Sequence, residues 1–286
     1  MGIPSDIAII DTMIGFPAGF DEYDFIREQL KDGESRDEFD FPVEYMFKTV
    51  PKHLYELEDP IAATLHEMDR FDIEMGLVGV HDDVGKQAVK LHPDRFLPLG
   101  GVDPHASVEG LRDMERQYEE FGVRAFSAFP AGFVPQVPID DAKMYPIYAK
   151  CVELDRPIFV CAGVPGPRVP MSCQHVERID GVMYDFPELV FVTKHGCEPW
   201  ADLAVKLMLK WPNLYFSTSA FAPRHYPPEI VDYANTRGRE KILYAGYFPM
   251  GLSLERIMSD MAEVPFRDEV WPAFLRDNAR RILKLD

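Results

Sequence analysis

Apolar residues recur along this chain in short runs separated by segments of helical periodicity. The runs are IAIIDTMI (7–14), MGLVGVH (75–81), FLPLGGV (96–102), VRAFSAF (123–129), PIFVCAG (157–163), LVFVTKH (189–195), NLYFSTS (213–219) and KILYAGY (241–247). The first, fifth, sixth and eighth are nearly continuous in apolar residues, which suits parallel strands covered on both faces. Between the runs, PIAATLHEMDRFDIE (60–74) places Ile61, Leu65, Met68 and Phe71 three or four residues apart, giving one apolar stripe. SVEGLRDMERQYEEFG starts at a Ser107 cap and stops at Gly122. The alternation continues through DDAKMYPIYAKCVELD, PWADLAVKLMLKWP, PEIVDYANTRG and SLERIMSDMAEV, with Pro146 setting the opening turn of the first apart.

Eight strands alternating with helices predict an α/β fold, a distorted TIM (β/α)8 barrel, as one domain over residues 1–286. The competing architecture is an open doubly wound sheet. No glycine-rich phosphate fingerprint follows the first strand, which weighs against it. Residues 15–59 are irregular and rich in aromatics and carboxylates. Following strand 1, this long insertion is expected over the C-terminal mouth as a lid, a dimer arm, or both.

Composition narrows the partners. Hydrophobic residues make up 47% of the 286, enough for a sizeable core, and no apolar run is long enough to cross a bilayer. The N-terminus MGIPSDIAIID lacks the basic and long apolar regions of a secretory signal. A formal net charge of -18 repels phosphate backbones and anionic membranes, so neither nucleic acid nor membrane is expected. An anionic substrate then requires a local positive pocket. Cys151, Cys161, Cys173 and Cys197 form no CxxC pair, and free thiols in a reducing, cytoplasmic setting are expected.

A barrel delivers its reactive groups from the C-terminal ends of its strands. Strand 1 offers Asp11, Met13 and Gly15. Strand 2 offers His81, Asp82 and Asp83, and strand 4 offers Arg124 and Ser127. Strand 5 offers Cys161. Strand 6 offers Lys194, His195 and Glu198, strand 7 Ser217, Thr218 and Ser219, and strand 8 Tyr247.

This order resembles the amidohydrolase-related TIM-barrel family, in the group that includes the aminocarboxymuconate-semialdehyde decarboxylase relatives. The likeness covers nearly the whole chain. It is carried by FPELVFVTKHGCEPW at strand 6, by WPNLYFSTSAFAPRHYPPEIVDYANTRGREKILYAGYFPM from strand 7 into strand 8, and by the closing LRDNARRILKL. The resemblance implies one divalent metal. Its ligands would be two histidines one residue apart on strand 1, one on strand 5, often one on strand 6, and an aspartate on strand 8. Here Met13 and Gly15 stand at the strand 1 histidines, Cys161 at the strand 5 histidine and Tyr247 at the aspartate. Only His195 matches. We therefore expect no metal cofactor; the alternative is a rearranged site built from His195 and Cys161 with His81 or Asp11.

His195, with an ordinary pKa near ~6.5, is the expected acid/base. Asp11 either orients it or bonds backbone amides. Cys161 is a nucleophile if His195 lowers its pKa, and otherwise fills the space of a lost ligand. Tyr247 either donates to a developing oxyanion or packs in the vacated metal space. Lys194 precedes His195, so strand alternation turns it toward the helices if His195 faces the axis. Glu198 is accounted for as the opening of the next helix. His81, Arg124, His175 and Arg178 are candidate substrate contacts, and Phe16, Phe20, Tyr23, Phe129 and Phe133 candidate pocket walls. The expected function is a metal-independent hydrolase or lyase, working by His-centred proton transfer on a small carboxylate-bearing or aromatic molecule, in a homodimer. The alternatives are a decarboxylase or hydratase with a rearranged metal site, and a non-catalytic ligand-binding barrel.

Overall fold

The computed structural model of the protein describes residues 4, 7–19, 24–47 and 50–285. The eight strands are β1 (Ile9–Asp11), β2 (Ile73–Gly79), β3 (Phe96–Gly101), β4 (Ala125–Ala128), β5 (Ile158–Cys161), β6 (Phe191–Lys194), β7 (Leu214–Ser217) and β8 (Ile242–Leu243). They form one parallel sheet in sequential order. The sheet closes where β8 meets β1. Tyr244 carbonyl accepts from the Thr12 amide at 3.2 Å, and Phe248 carbonyl accepts from the Gly15 amide at 2.8 Å. The fold is a TIM barrel, as the strand–helix alternation predicts.

One apolar side chain from each strand fills the lower interior: Ile10, Leu77, Leu97, Ala125, Phe159, Val192, Tyr215 and Leu243. Ala279, Ile282 and Leu283 of the closing helix pack against this layer and plug the bottom. The outer layer of apolar residues lies between the strands and the surrounding helices.

The helices follow their caps. Helix α1 (Pro60–Arg70) opens where Asp59 accepts from the Ile61 and Ala62 amides, and α2 (Asp83–Leu91) where Asp82 accepts from the Gly85 amide at 2.7 Å. Helix α3 (Ser107–Phe121) ends at Gly122 in the left-handed conformation, but Ser107 is its first residue and makes no cap bond. Helix α4 (Tyr145–Glu153) carries Pro146 in its first turn, where the missing amide costs nothing. Helix α5 (Arg178–Asp185) was not evident from the sequence pattern. Helices α6 (Ala201–Lys210), α7 (Pro228–Thr236) and α8 (Leu254–Met261) complete the ring.

Candidate active site

The mouth of the barrel opens into a cavity of about 1460 Å³. Its floor is the last turn of the strands, with Leu99, Ser127, Cys161 and Lys194. Its roof comes from the insertion after β1, through Phe25, Ile26, Val43, Met46, Phe47 and Tyr55. The insertion therefore contributes part of the wall of the site. Phe20 and Tyr23 lie outside the described residues.

Strand β6 sets the chemistry. Val192 points into the lower core, so two residues on Lys194 points the same way, one layer higher. Lys194 is 7% exposed, and its Nζ donates to Ser127 Oγ at 2.7 Å. It sits opposite Cys161 in the β5–β6 register. The strand ends there. His195, Gly196 and Cys197 all adopt left-handed φ, at 65°, 84° and 58°. That turn breaks the alternation and swings the imidazole back over the mouth, so Lys194 and His195 both line the cavity. The expectation that they point apart is corrected on this ground. A left-handed run of this kind is strained for residues with a Cβ and is held by its surroundings. Ser219 Oγ accepts from the His195 amide at 3.1 Å and lies 3.1 Å from His195 Nδ1. A hydroxyl oxygen can accept from the amide and still pair with Nδ1 in either direction, so Ser219 fixes the orientation of the ring in both tautomers. Burial, aided by the Lys194 charge, holds the His195 pKa down to about 3, so the ring is neutral at physiological pH. Tyr247 lies edge-on to it, ring centroids 5.3 Å apart, and lines the same cavity.

Asp11 does not join this pair. Ile10 takes the inward position, so Asp11 turns outward into the seam between β1 and β8. There its Oδ1 accepts from the Met13 and Gly246 amides, both at 2.9 Å. A Cβ on Gly246 would sit 2.5 Å from Asp11 Oδ2 and 2.7 Å from the Tyr244 hydroxyl, so only glycine passes here. The carboxyl is fully buried and burial pushes its pKa up to about 7. Asp11 is a barrel-closing residue, and the partner of His195 is Ser219.

Cys161 lines the cavity, but burial raises its thiol, with the Lys194 charge only partly opposing. Its charged neighbour is thus Lys194 rather than His195, and a protonated thiol is a poor nucleophile. Arg124 sits before β4, at the opposite end of the barrel, where Nη1 donates to the Lys284 carbonyl at 3.4 Å. His175 packs on Trp200 with ring centroids 4.0 Å apart, its Nδ1 accepting from the Glu177 amide. Arg178 donates to the Ser172 carbonyl at 2.7 Å and to Asp140 Oδ1 at 2.6 Å. These three side chains are spent on the scaffold and do not line the cavity. His81, Phe16, Phe129 and Phe133 do line it, with His81 Nε2 3.4 Å from Asp82 Oδ2.

Residues the sequence did not single out complete the mouth. Arg224 and Arg256 line the cavity and share one carboxylate, Asp260, at 3.5 Å and 2.8 Å. Two guanidiniums on one carboxylate make this edge of the mouth locally positive, with Glu198 and Asp82 elsewhere on the same cavity. Glu198 also lines the cavity. The next helix begins only at Ala201, and burial raises this carboxyl.

Fold and site geometry define a TIM barrel with its reactive side chains at the C-terminal mouth. The chain belongs to the amidohydrolase family, whose model matches residues 49–285. No curated protein sequence matches it. Among solved structures it is similar to a TIM-barrel protein of Bordetella bronchiseptica, at 22% identity over 96% of this chain and 98% of that one, TM-score 0.77. It is also similar to 5-carboxyvanillate decarboxylase of Novosphingobium aromaticivorans, solved with manganese and a nitrobenzoic acid, at 18% identity over 98% and 97%, TM-score 0.71. A third is 4-oxalomesaconate hydratase of Rhodopseudomonas palustris, at 18% identity over 96% and 95%, TM-score 0.60.

The residues present here do not fit a divalent metal. Met13, Gly15, Cys161 and Tyr247 stand where the resemblance places ligands. Among the described residues, no three or more His, Cys, Asp or Glu side chains come together in a way that could hold an ion. Lys194 lies against Cys161 there, and its charge would repel a divalent cation.

Proposed function

We propose that this protein is a metal-independent enzyme, a lyase or hydrolase, acting on a small carboxylate-bearing molecule of aromatic size. The observation that carries this reading is Lys194: a buried lysine on the floor of the cavity, with no carboxylate paired to it among the described residues. A buried cation of this kind favours an anionic ligand, because charge in a poorly solvated site is stabilised mainly by an opposite charge. In this reading Lys194 takes the place of the metal as the electrophilic anchor.

The remaining side chains divide the work. The walls of Phe16, Phe129, Phe133 and Phe221 enclose a flat apolar body. Arg224 and Arg256 draw the anion toward the mouth. His195, neutral before substrate binds, donates a ring N–H to oxygen. Bringing in a negative charge favours the imidazolium, so the same ring gains a proton to transfer once the anion is bound. Tyr247 supplies a hydroxyl beside it for charge building on oxygen. These roles suit reactions driven by proton transfer, namely decarboxylation, hydration or dehydration, and C–C cleavage, better than hydrolysis of an unactivated amide. That two of the similar structures are a decarboxylase and a hydratase supports that preference. Four free, buried cysteines suit a cytoplasmic enzyme, and the exposed Phe25, Tyr45 and Met46 of the insertion offer a homodimer an apolar contact.

The test is a screen of aromatic and keto carboxylic acids with protein dialysed against EDTA, comparing wild type with His195→Ala. Turnover that survives EDTA and falls in the variant supports the proposal. Turnover that needs added manganese overturns metal independence. Ligand binding without turnover marks a binding barrel instead.

A further inference from the structure

We infer that Lys194 is a covalent catalyst, forming a Schiff base with a carbonyl-bearing acid at the floor of the barrel. The inference rests on the metal-independent reading above and names its substrate class: a 2-oxo or 3-oxo carboxylic acid.

Three observations point to it. Lys194 Nζ is held by a hydroxyl, Ser127 Oγ at 2.7 Å, and faces the Cys161 thiol across the β5–β6 register; neither neighbour is an anion that would lock it into an ion pair. It lies at the end of a strand, fixed by the barrel and not by a loop, beneath an apolar cavity that holds Leu77, Leu99 and Phe129. An amine held by a hydroxyl and by no anion, beside a histidine that can carry protons, is placed to attack a carbonyl bound in the cavity. The carrier is His195, which lines the same cavity, is oriented by Ser219, and lies close enough for the Lys194 charge to act on it.

The chemistry balances without a cofactor. The lysine ammonium and the substrate carbonyl condense to an iminium and one water. His195 takes one ammonium proton so that the free amine forms the C–N bond; that proton and a second one from nitrogen go to the carbonyl oxygen, the C–O bond breaks, and the oxygen leaves as water. With a 3-oxo acid, the bond to the carboxylate then breaks. Its electron pair moves into the iminium, giving a neutral enamine and carbon dioxide. The enamine carbon takes a proton from water through His195. Water then hydrolyses the iminium, releasing ketone and restoring the lysine ammonium. The sum is 3-oxo carboxylate plus one proton to ketone plus carbon dioxide. The electron sink that a metal provides elsewhere is here the iminium nitrogen.

The experiment is reductive trapping. EDTA-dialysed full-length protein is incubated with pyruvate or acetoacetate and sodium cyanoborohydride, and the adduct is located by peptide mass mapping. Wild type is expected to carry one reduced adduct per chain at Lys194, about tenfold or more above any other lysine, with parallel loss of activity. Lys194→Arg, which keeps a cation but forms no iminium, is expected to show no adduct at 194 and no turnover while still binding benzoate. Wild-type labelling spread evenly over surface lysines overturns the inference, and so does turnover retained in Lys194→Arg. In either of those cases the anion-anchor reading stands if the arginine variant still binds benzoate and Lys194→Met does not. Equal benzoate binding in all three proteins would remove that reading separately. The mapping is done on wild type, so it remains decisive even if a variant folds poorly.

Discussion

The two ends of this barrel are built by opposite rules. At the bottom each strand contributes one inward apolar side chain, alternation is kept, and the closing helix seals the layer. At the mouth the strands stop early, and His195, Cys197, Ala220 and Tyr247 all take left-handed φ. Polar groups appear where the bottom would place leucine: Ser127 above Ala125, Cys161 above Phe159, Lys194 above Val192. The same period of two that packs the core therefore aims the chemistry. The difference separates stability from function along one axis, and variants at the two ends should separate them too.

The largest expected effect is at the mouth. His195→Asn should lower kcat by about 10²–10⁴-fold, the usual range for a lost acid/base, with little change in thermal midpoint. Steady-state kinetics beside a melting curve reads both. Because the unliganded ring is already neutral, kcat/KM of the wild type should show no His195 ionisation between about pH 5 and pH 8. At the bottom, Phe159→Ala removes a ring that is 1% exposed. Denaturant unfolding should show a loss of about 3–5 kcal/mol, with the active-site geometry of the remaining folded fraction intact.

The seam between the ends gives the next effect. The folded chain keeps a proton on Asp11 up to about pH 7, whereas the unfolded chain releases it near 3.8. Asp11 therefore makes stability fall as pH rises from about 4 to about 7, by on the order of 4 kcal/mol in total. His195 works in the other direction: it must stay neutral when folded, so stability falls as pH drops from about 6.5 toward about 3. Unfolding curves of Asp11→Asn across this range should differ from wild type by the Asp11 slope alone. A wild-type-like slope in the variant would mean that the carboxyl is not held protonated. The smallest effect is at the rim. Arg256→Ala leaves Arg224 in place, and should raise KM by roughly tenfold with kcat unchanged, more so at low salt.

The bottom of the barrel was legible in the sequence and much of the mouth was not. All eight runs became strands, because burial on both faces writes parallel strands as continuous apolar stretches. That same continuity hides the phase of the alternation. In LVFVTKH nothing marks whether Val192 or Thr193 faces inward, and counting from His195 put Lys194 on the wrong side. The count fails because the strand ends at Lys194 and His195 turns left-handed. Arg124 was placed at the mouth because VRAFSAF shows no beginning, although its ladder starts at Ala125. The sequence shows His175 and Arg178 as polar side chains after strand 5 but not the partners Trp200 and Asp140 that take them up. The Arg224–Asp260–Arg256 rim joins residues from two segments that no local pattern connects. The replacement of the expected ligands by Met13, Gly15, Cys161 and Tyr247 is legible from the resemblance alone, whereas the lysine that lies against Cys161 is not.

The most direct measurement is calorimetric titration of benzoate into EDTA-dialysed wild type and Lys194→Met. The account predicts that wild type binds without metal and that the variant loses about tenfold or more in affinity, as expected when a buried cation facing an anion is removed. Binding that disappears with EDTA, returns with manganese and is unchanged in Lys194→Met would contradict it.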